Sequence, residues 1–302
     1  MSGAERFELV RGEPGFPKLV EGCRSIERIY GIGDRKALGR PCISIVGARR
    51  ATPYGLSAAK MAGEVAAGLG ITVVSGGARG CDYAAGRAAL DAGGTTIVCA
   101  GCGADMTYPK SSRDLFDEAR SGRGAVVALE GWGAPPRRYC FPRRNELIAA
   151  LSVSTLVVEA GMPSGTFSTA TTAAELGRNV YAVPGSIFSP ASRGANHLIE
   201  SGAAIIADEV SLQVRISMDY GSLLLVPEEA DDEDTDEVIA MVMASPLTTD
   251  QIARALGRDP VAMLPVLANY EASGRLVRLA DGRYSPSEAE LLRGFDRSQG
   301  RA

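Results

Sequence analysis

In the segment PPRRYCFPRRNEL, Arg137, Arg138, Arg143 and Arg144 flank Tyr139 and Phe141, placing four cations and two aromatics within eight residues. Guanidinium forks neutralise phosphate oxygens, and an aromatic face stacks on an unpaired base. A solvated basic loop would explain the arginines but not the aromatics between them. The combination suits a single strand of nucleic acid, because paired bases present no free face.

Two further loops have the composition of anion sites. Gly47-Ala48-Arg49-Arg50 and Gly76-Gly77-Ala78-Arg79-Gly80 each follow an apolar run. Their glycines let backbone N–H groups approach a phosphate, a following helix N-terminus adds about half a positive charge, and Arg49 and Arg79 supply donor forks. Such turns also arise for steric reasons alone. Ser164-Gly165-Thr166 offers two hydroxyls at another helix start, suited to a phosphate oxygen, a helix cap or both.

The elements that must carry these loops can be read from hydrophobic patterning. Seven continuous apolar runs, Cys42–Gly47, Ile71–Ser75, Thr95–Ala100, Ala125–Leu129, Thr155–Glu159, Asn179–Val183 and Ala203–Ala207, have strand length and no polar face. That fits parallel strands covered on both sides. Between the first two, Ala58, Met61, Ala62, Val65, Ala66 and Leu69 recur at helical spacing. The βαβα alternation predicts a doubly wound sheet with its ligand site at the carboxyl ends of the strands. The basic segment is expected as a loop leading into a helix over Arg143–Ser152.

The chain has 302 residues and a net charge of −4, which would ordinarily argue against a polyanion ligand. Glu228–Glu237, EEADDEDTDE, holds eight of the acidic residues and no basic one; subtracting −8 from −4 leaves +4 for the remainder. The acidity therefore belongs to one solvated linker. Beyond it, helices are expected over Asp236–Ala244, Thr249–Leu256 and Pro260–Ser273, the last kinked at Pro265. Arg275–Ser285 reads as a hairpin around Asp281-Gly282, completing a winged-helix pattern. The expected domains are an N-terminal extension (1–40), the sheet domain (41–212), the acidic linker (213–235), the winged helix (236–286) and a tail (287–302). No stretch is long and apolar enough for a membrane helix, and six cysteines without a signal peptide suggest reduced thiols in a cytosol.

Other chemistries find little support. Cys99-Ala100-Gly101-Cys102 has metal or redox spacing but no second ligand pair, and Gly101-Cys102-Gly103 does not extend to a dinucleotide fingerprint. The single histidine, His197, and the absence of a GxSxG element make a serine hydrolase improbable. Glu130 and Glu159 end strands, where carboxylates are usually satisfied. No catalytic residue, metal or cofactor is expected.

SIVGARRATPYG, ITVVSGGARGCDYAAGRAAL, AGGTTIVCAGCGADMTYP, PPRRYCFPRRNELIAALS, VVEAGMPSGTFSTA, VYAVPGSI and NHLIESGAAII together resemble the DNA-processing protein A (DprA/Smf) family over roughly Glu13 to Leu212. The resemblance implies an α/β fold: an extended Rossmann-like parallel sheet with helices on both faces, plus a small C-terminal winged-helix module. It implies a non-enzymatic single-stranded DNA-binding recombination mediator that forms a homodimer, protects incoming strands and helps load the RecA recombinase in natural transformation. By position, Arg49 matches the family's phosphate-contacting arginine, Arg138 a basic DNA-contacting position and Phe141 the aromatic that meets a base. Gly47, Gly77, Arg79, Gly80, Arg144, Asn145, Ser164 and Gly165 match motif positions lining the same pocket, and Arg143 and Thr166 complete the candidate set. There are departures. Glu146 stands where the family commonly has arginine, and would weaken phosphate contact unless it points away. Arg87 stands where a histidine is frequent, and the helical domain that some members carry at the N-terminus is not expected. Two alternatives fit less well. A nucleoside monophosphate hydrolase would show a PGGxGT loop, and a winged-helix regulator would place cations on its third helix, which has none from Pro260 until Arg275.

Overall fold

All seven apolar runs form strands in the computed structural model, which describes residues 5–162, 164–221 and 237–291. In chain order the strands of the main sheet are β1 (Arg6–Val10), β2 (Arg28–Gly33), β3 (Cys42–Val46), β4 (Thr72–Ser75), β5 (Thr96–Ala100), β6 (Gly124–Ala128), β7 (Ser154–Val157), β8 (Asn179–Ala182) and β9 (Ala204–Ile205). They are arranged β1-β2-β6-β5-β4-β3-β7-β8-β9. The seven from β3 to β9 are parallel, whereas β1 and β2 add an antiparallel pair on β6. From β3 the chain winds outward to β6, then returns to the other flank of β3 with β7. The switch point, where ligands bind in such sheets, therefore lies between the ends of β3 and β7.

Helices α1 (Pro53–Gly68), α2 (Cys81–Asp91) and α3 (Arg113–Glu118) cover one face. Helices α4 (Cys140–Leu151) and α5 (Thr166–Glu175) cover the other, with α6 (Arg193–Glu200) and α7 (Glu209–Tyr220) following in the chain. Alternation along β3 shows the division. Ile43 and Ile45 pack with α1, while Cys42 and Val46 pack with α4. Between them, Ser44 donates its hydroxyl proton to the Ile148 carbonyl at 2.8 Å. Each fully buried isoleucine is worth roughly 1.5–3 kcal/mol. Helix α1 starts where Thr52 accepts a hydrogen bond from the Gly55 N–H and Pro53 takes the first position.

The edges of the expected domains look different in the structure. The extension supplies β1 and β2. The boundary expected between residues 212 and 213 falls inside α7, because Leu212 and Ile216 are fully buried against the sheet domain and the Tyr220 hydroxyl donates to the Cys42 carbonyl at 2.8 Å. Apart from Glu237, the acidic run lies outside the described residues.

The C-terminal module consists of α8 (Glu237–Ala244), α9 (Thr249–Ala255), α10 (Pro260–Ala272) and an antiparallel pair, β10 (Leu276–Arg278) and β11 (Tyr284–Pro286). Thr248 and Gln251 form a capping box on α9, and Asp259 caps α10, which continues through Pro265. Val238, Val242, Ile252, Met263, Leu267 and Leu276 fill a separate core. The segment expected as a tail begins inside this unit: buried Glu290 pairs with Arg275 at 2.7 Å.

Candidate nucleic-acid interface

A cavity of about 400 Å³ opens at the switch point. Gly47, Arg49, Arg144, Asn145, Ser164, Gly165 and Thr166 line it, so seven of the candidates converge from the ends of β3 and β7 and the first turns of α4 and α5. Gly77, Arg79, Gly80, Arg138, Phe141 and Arg143 are not part of its wall. Arg50 and Asp82 are, and neither is among the residues the sequence singles out. Arg50 is the second arginine of the GARR loop; Asp82 lies within the ITVVSGGARGCDYAAGRAAL motif but is not among the candidate residues.

The basic segment is mostly helix. Helix α4 begins at Cys140, not Arg143, so Phe141, Arg143 and Arg144 sit in its first turns. Pro142 does not delay the helix, since first-turn N–H groups lack helical partners anyway. Arg138 and Tyr139 remain exposed before it. The Phe141 ring lies over Gly101, where an added Cβ would meet the ring at 2.8 Å. Tyr108 approaches the ring with centroids 5.9 Å apart. The guanidinium carbons of Arg49 and Arg144 stand 5.5 and 5.8 Å from the ring centre. These contacts hold the aromatic beside the cavity mouth with part of its surface open.

The arginines differ in availability. Among the described residues, Arg49, Arg50, Arg79, Arg137 and Arg138 are exposed and have no ion-pair partner. Arg143 pairs with Glu130 at 3.0 Å. Arg144 is only 5% exposed and donates to the Cys99 carbonyl at 3.0 Å. Burial pushes its pKa down, opposed mainly by Asp82.

Several candidates hold the frame. Gly80, with φ +84°, lets the β4 loop meet the β3 loop: a Cβ there would sit 2.2 Å from the Ala48 carbonyl oxygen. Gly77, with φ +61°, packs against Val98 and Phe116. Asn145 donates to the Ser168 hydroxyl at 2.8 Å and the Gly165 carbonyl at 3.3 Å, tying α4 to α5. The Ser164 hydroxyl accepts from the Thr166 N–H at 3.2 Å in a local turn, but the N-cap of α5 is Gly165, which offers no side-chain cap. Glu146 accepts a hydrogen bond from Ser25 at 2.8 Å and does not line the cavity. Glu159 accepts from the Thr52 N–H and hydroxyl at 2.8 and 2.7 Å, as a satisfied strand-end carboxylate should.

The other chemistries can be placed as well. All six cysteines are free and buried. Burial raises the Cys102 pKa to about 11 and also pushes Cys99 up, so neither is a ready thiolate. No group of three or more potential metal ligands occurs among the described residues. His197 lies on α6, 3.6 Å from Glu200. No described helix is long and apolar enough to cross a membrane. On α10, Val261 and Leu264 are exposed and no Arg or Lys is present, which makes this helix a poor groove reader.

An open, mostly parallel sheet with an arginine-lined cavity at its switch point defines a Rossmann-like domain, followed in this chain by a winged helix. The chain belongs to the DNA recombination-mediator protein A family, whose model matches residues 8–216; the DprA winged helix domain matches residues 226–282. It is 32% identical to Protein Smf of Escherichia coli, over 83% of this chain and 69% of that protein. It is 40% identical to the DNA processing protein DprA of Streptococcus pneumoniae, over 58% of this chain and 61% of that one. A putative DprA of Mycobacterium tuberculosis is 37% identical, and the match spans 63% of its length. The solved S. pneumoniae DprA superposes with a TM-score of 0.65 at 32% identity, covering 70% of this chain and 74% of that one. DNA processing protein A from Helicobacter pylori, described for its single-stranded DNA binding mode, superposes with a TM-score of 0.64 at 28% identity, covering 71% and 97%. Membership of a recombination-mediator family agrees with the expectation of a non-enzymatic protein.

Proposed function

We propose that this chain binds single-stranded DNA across the switch-point cavity and its rim. There it acts as a recombination mediator that protects incoming strands and helps load RecA during natural transformation, as a cytosolic homodimer. The observation that carries the DNA reading is the placement of Phe141 between Arg49 and Arg144 beside a cavity lined with hydroxyls and arginines. One base can stack on the ring while neighbouring phosphates meet Arg49, Arg50 and Arg138. The single-stranded DNA binding described for the H. pylori relative supports the same reading. The roles in RecA loading, dimerisation and transformation rest on the family resemblance.

Titration of labelled oligo-dT at several salt concentrations tests the site. An Arg49→Ala, Arg138→Ala double variant should lose affinity and salt sensitivity, and unchanged binding would overturn the assignment. RecA-driven strand exchange on DNA coated with single-strand-binding protein tests mediation; an absence of stimulation leaves a DNA binder only.

A further inference from the structure

The loops after β3 and β4 have the composition of anion cradles, and the anion they cradle is the chain's own. Asp82, the second residue of α2, is 6% exposed. Its carboxylate accepts from the Gly76 N–H at 3.1 Å and the Gly47 N–H at 3.4 Å. Arg144 crowds the same place: a Cβ on Gly76 would fall 1.7 Å from Arg144 Nη1 and 2.7 Å from Asp82 Oδ2. Burial raises the Asp82 pKa, with Arg144 and the backbone donors opposing it. Buried Arg144 Nε has no hydrogen-bond partner, and both side chains line the cavity.

We propose that Asp82 is a specificity-determining residue: a resident carboxylate that fills the phosphate position of the strand-end loops, keeps Arg144 as its counter-ion, and thereby excludes inorganic phosphate and mononucleotides from this site. The proposal rests on the reading of the rim as a DNA site and deepens it. In nucleotide-binding sheets of this type the strand-end loop grips a phosphate with these same N–H groups. Here a phosphate brought to them meets a buried negative charge whose countercharge is already engaged. A strand avoids the conflict, because its contacts are spread over Arg49, Arg50, Arg138 and the Phe141 ring, outside the filled cradle. A single phosphate has no such sum to draw on.

The experiment compares thermal midpoints in millimolar phosphate and in chloride of equal ionic strength, alongside competition of dAMP with labelled oligo-dT. The wild-type midpoint should be the same in both salts, and dAMP should leave the oligonucleotide bound. Asp82→Ala empties the cradle and strips Arg144 of its partner; its midpoint should drop in chloride and rise by about 3–6 °C when phosphate reaches roughly ten times its Kd. An Asp82→Ala, Arg144→Met double variant should lose that response. Phosphate stabilisation of the wild type, displacement of its oligonucleotide by dAMP, or an Asp82→Ala chain that is equally folded or equally unfolded in both salts would each overturn the proposal. If the DNA reading itself fails, the wild type does not bind oligo-dT, while the phosphate comparison still reports on Asp82.

Discussion

The guanidinium of Arg49, on the loop after β3, faces the Phe141 ring in the first turn of α4, with 5.5 Å between guanidinium carbon and ring centre. The contact joins a charge and a stacking surface that come from distant parts of the chain, and it makes their contributions separable.

Arg49→Ala should remove one phosphate contact and so flatten the dependence of log affinity on log salt by about 0.7. Phe141→Ala removes a stacking platform worth about 1–3 kcal/mol, or roughly 5- to 150-fold in Kd, and leaves the salt slope unchanged. Oligo-dT titrations at several salt concentrations read both quantities. A salt slope that changes equally in the two variants would contradict the division of roles.

Arg138 and Arg143 look equivalent in the sequence but differ in the structure. Arg138 is exposed without an ion-pair partner among the described residues, whereas Arg143 is held by Glu130 at 3.0 Å. Arg138→Ala should therefore weaken oligo-dT binding more than Arg143→Ala. Glu130→Gln should release Arg143 and tighten binding by about two- to fivefold, the range set by a partly exposed ion pair. Weaker binding by Glu130→Gln would show that the pair positions Arg143 instead of competing for it.

The seven parallel strands are legible in the sequence as largely apolar runs: β3 to β7 are buried at every residue, as Ile43 and Ile45 illustrate on β3, and β8 and β9 are partly exposed. Strands β1 and β2 are not legible. In β1 the charged residues Arg6 and Glu8 alternate with buried Phe7 and Leu9, and in five residues that pattern is hard to separate from an irregular extension. Arg49 and Phe141 are legible as chemistry, but their juxtaposition needs the sheet. The role of Asp82 is not legible, since its significance lies in two backbone N–H groups that only the folded loops bring together.

Two glycines of the site separate frame from contact. Gly80→Ala forces a side chain into φ +84° and to within 2.2 Å of the Ala48 carbonyl oxygen, so it should cost about 2–4 kcal/mol and lower the thermal midpoint. Gly165 has φ −65° and open space where a Cβ would go. Gly165→Ala should keep the midpoint within about 1 °C, while the methyl group at the cavity wall reduces oligo-dT affinity. A stable Gly80→Ala chain would mean the two loops do not need their close approach.

Glu159 gives the fold a pH dependence of known sign. It is 3% exposed, and burial raises its pKa above the ordinary 4.5, with the two Thr52 hydrogen bonds pulling the other way. The folded chain therefore keeps this proton at pH values where the unfolded chain has lost it. The contribution to stability is complete below about pH 4.5 and declines as pH rises through the higher folded value. Glu118, held low by Arg87, has the opposite sign, and Asp82 has the same sign as Glu159. Both are present in wild type and in Glu159→Gln, so subtracting one melting series from the other cancels them. The side-chain amide introduced by Glu159→Gln can still accept from the Thr52 N–H and donate to its hydroxyl, which keeps the start of α1 capped without a titrating group. The wild-type midpoint minus that of Glu159→Gln should fall as pH is raised from below 4.5 toward neutrality; a difference that stays flat or grows would mean that Glu159 is ionised as easily in the fold as in water.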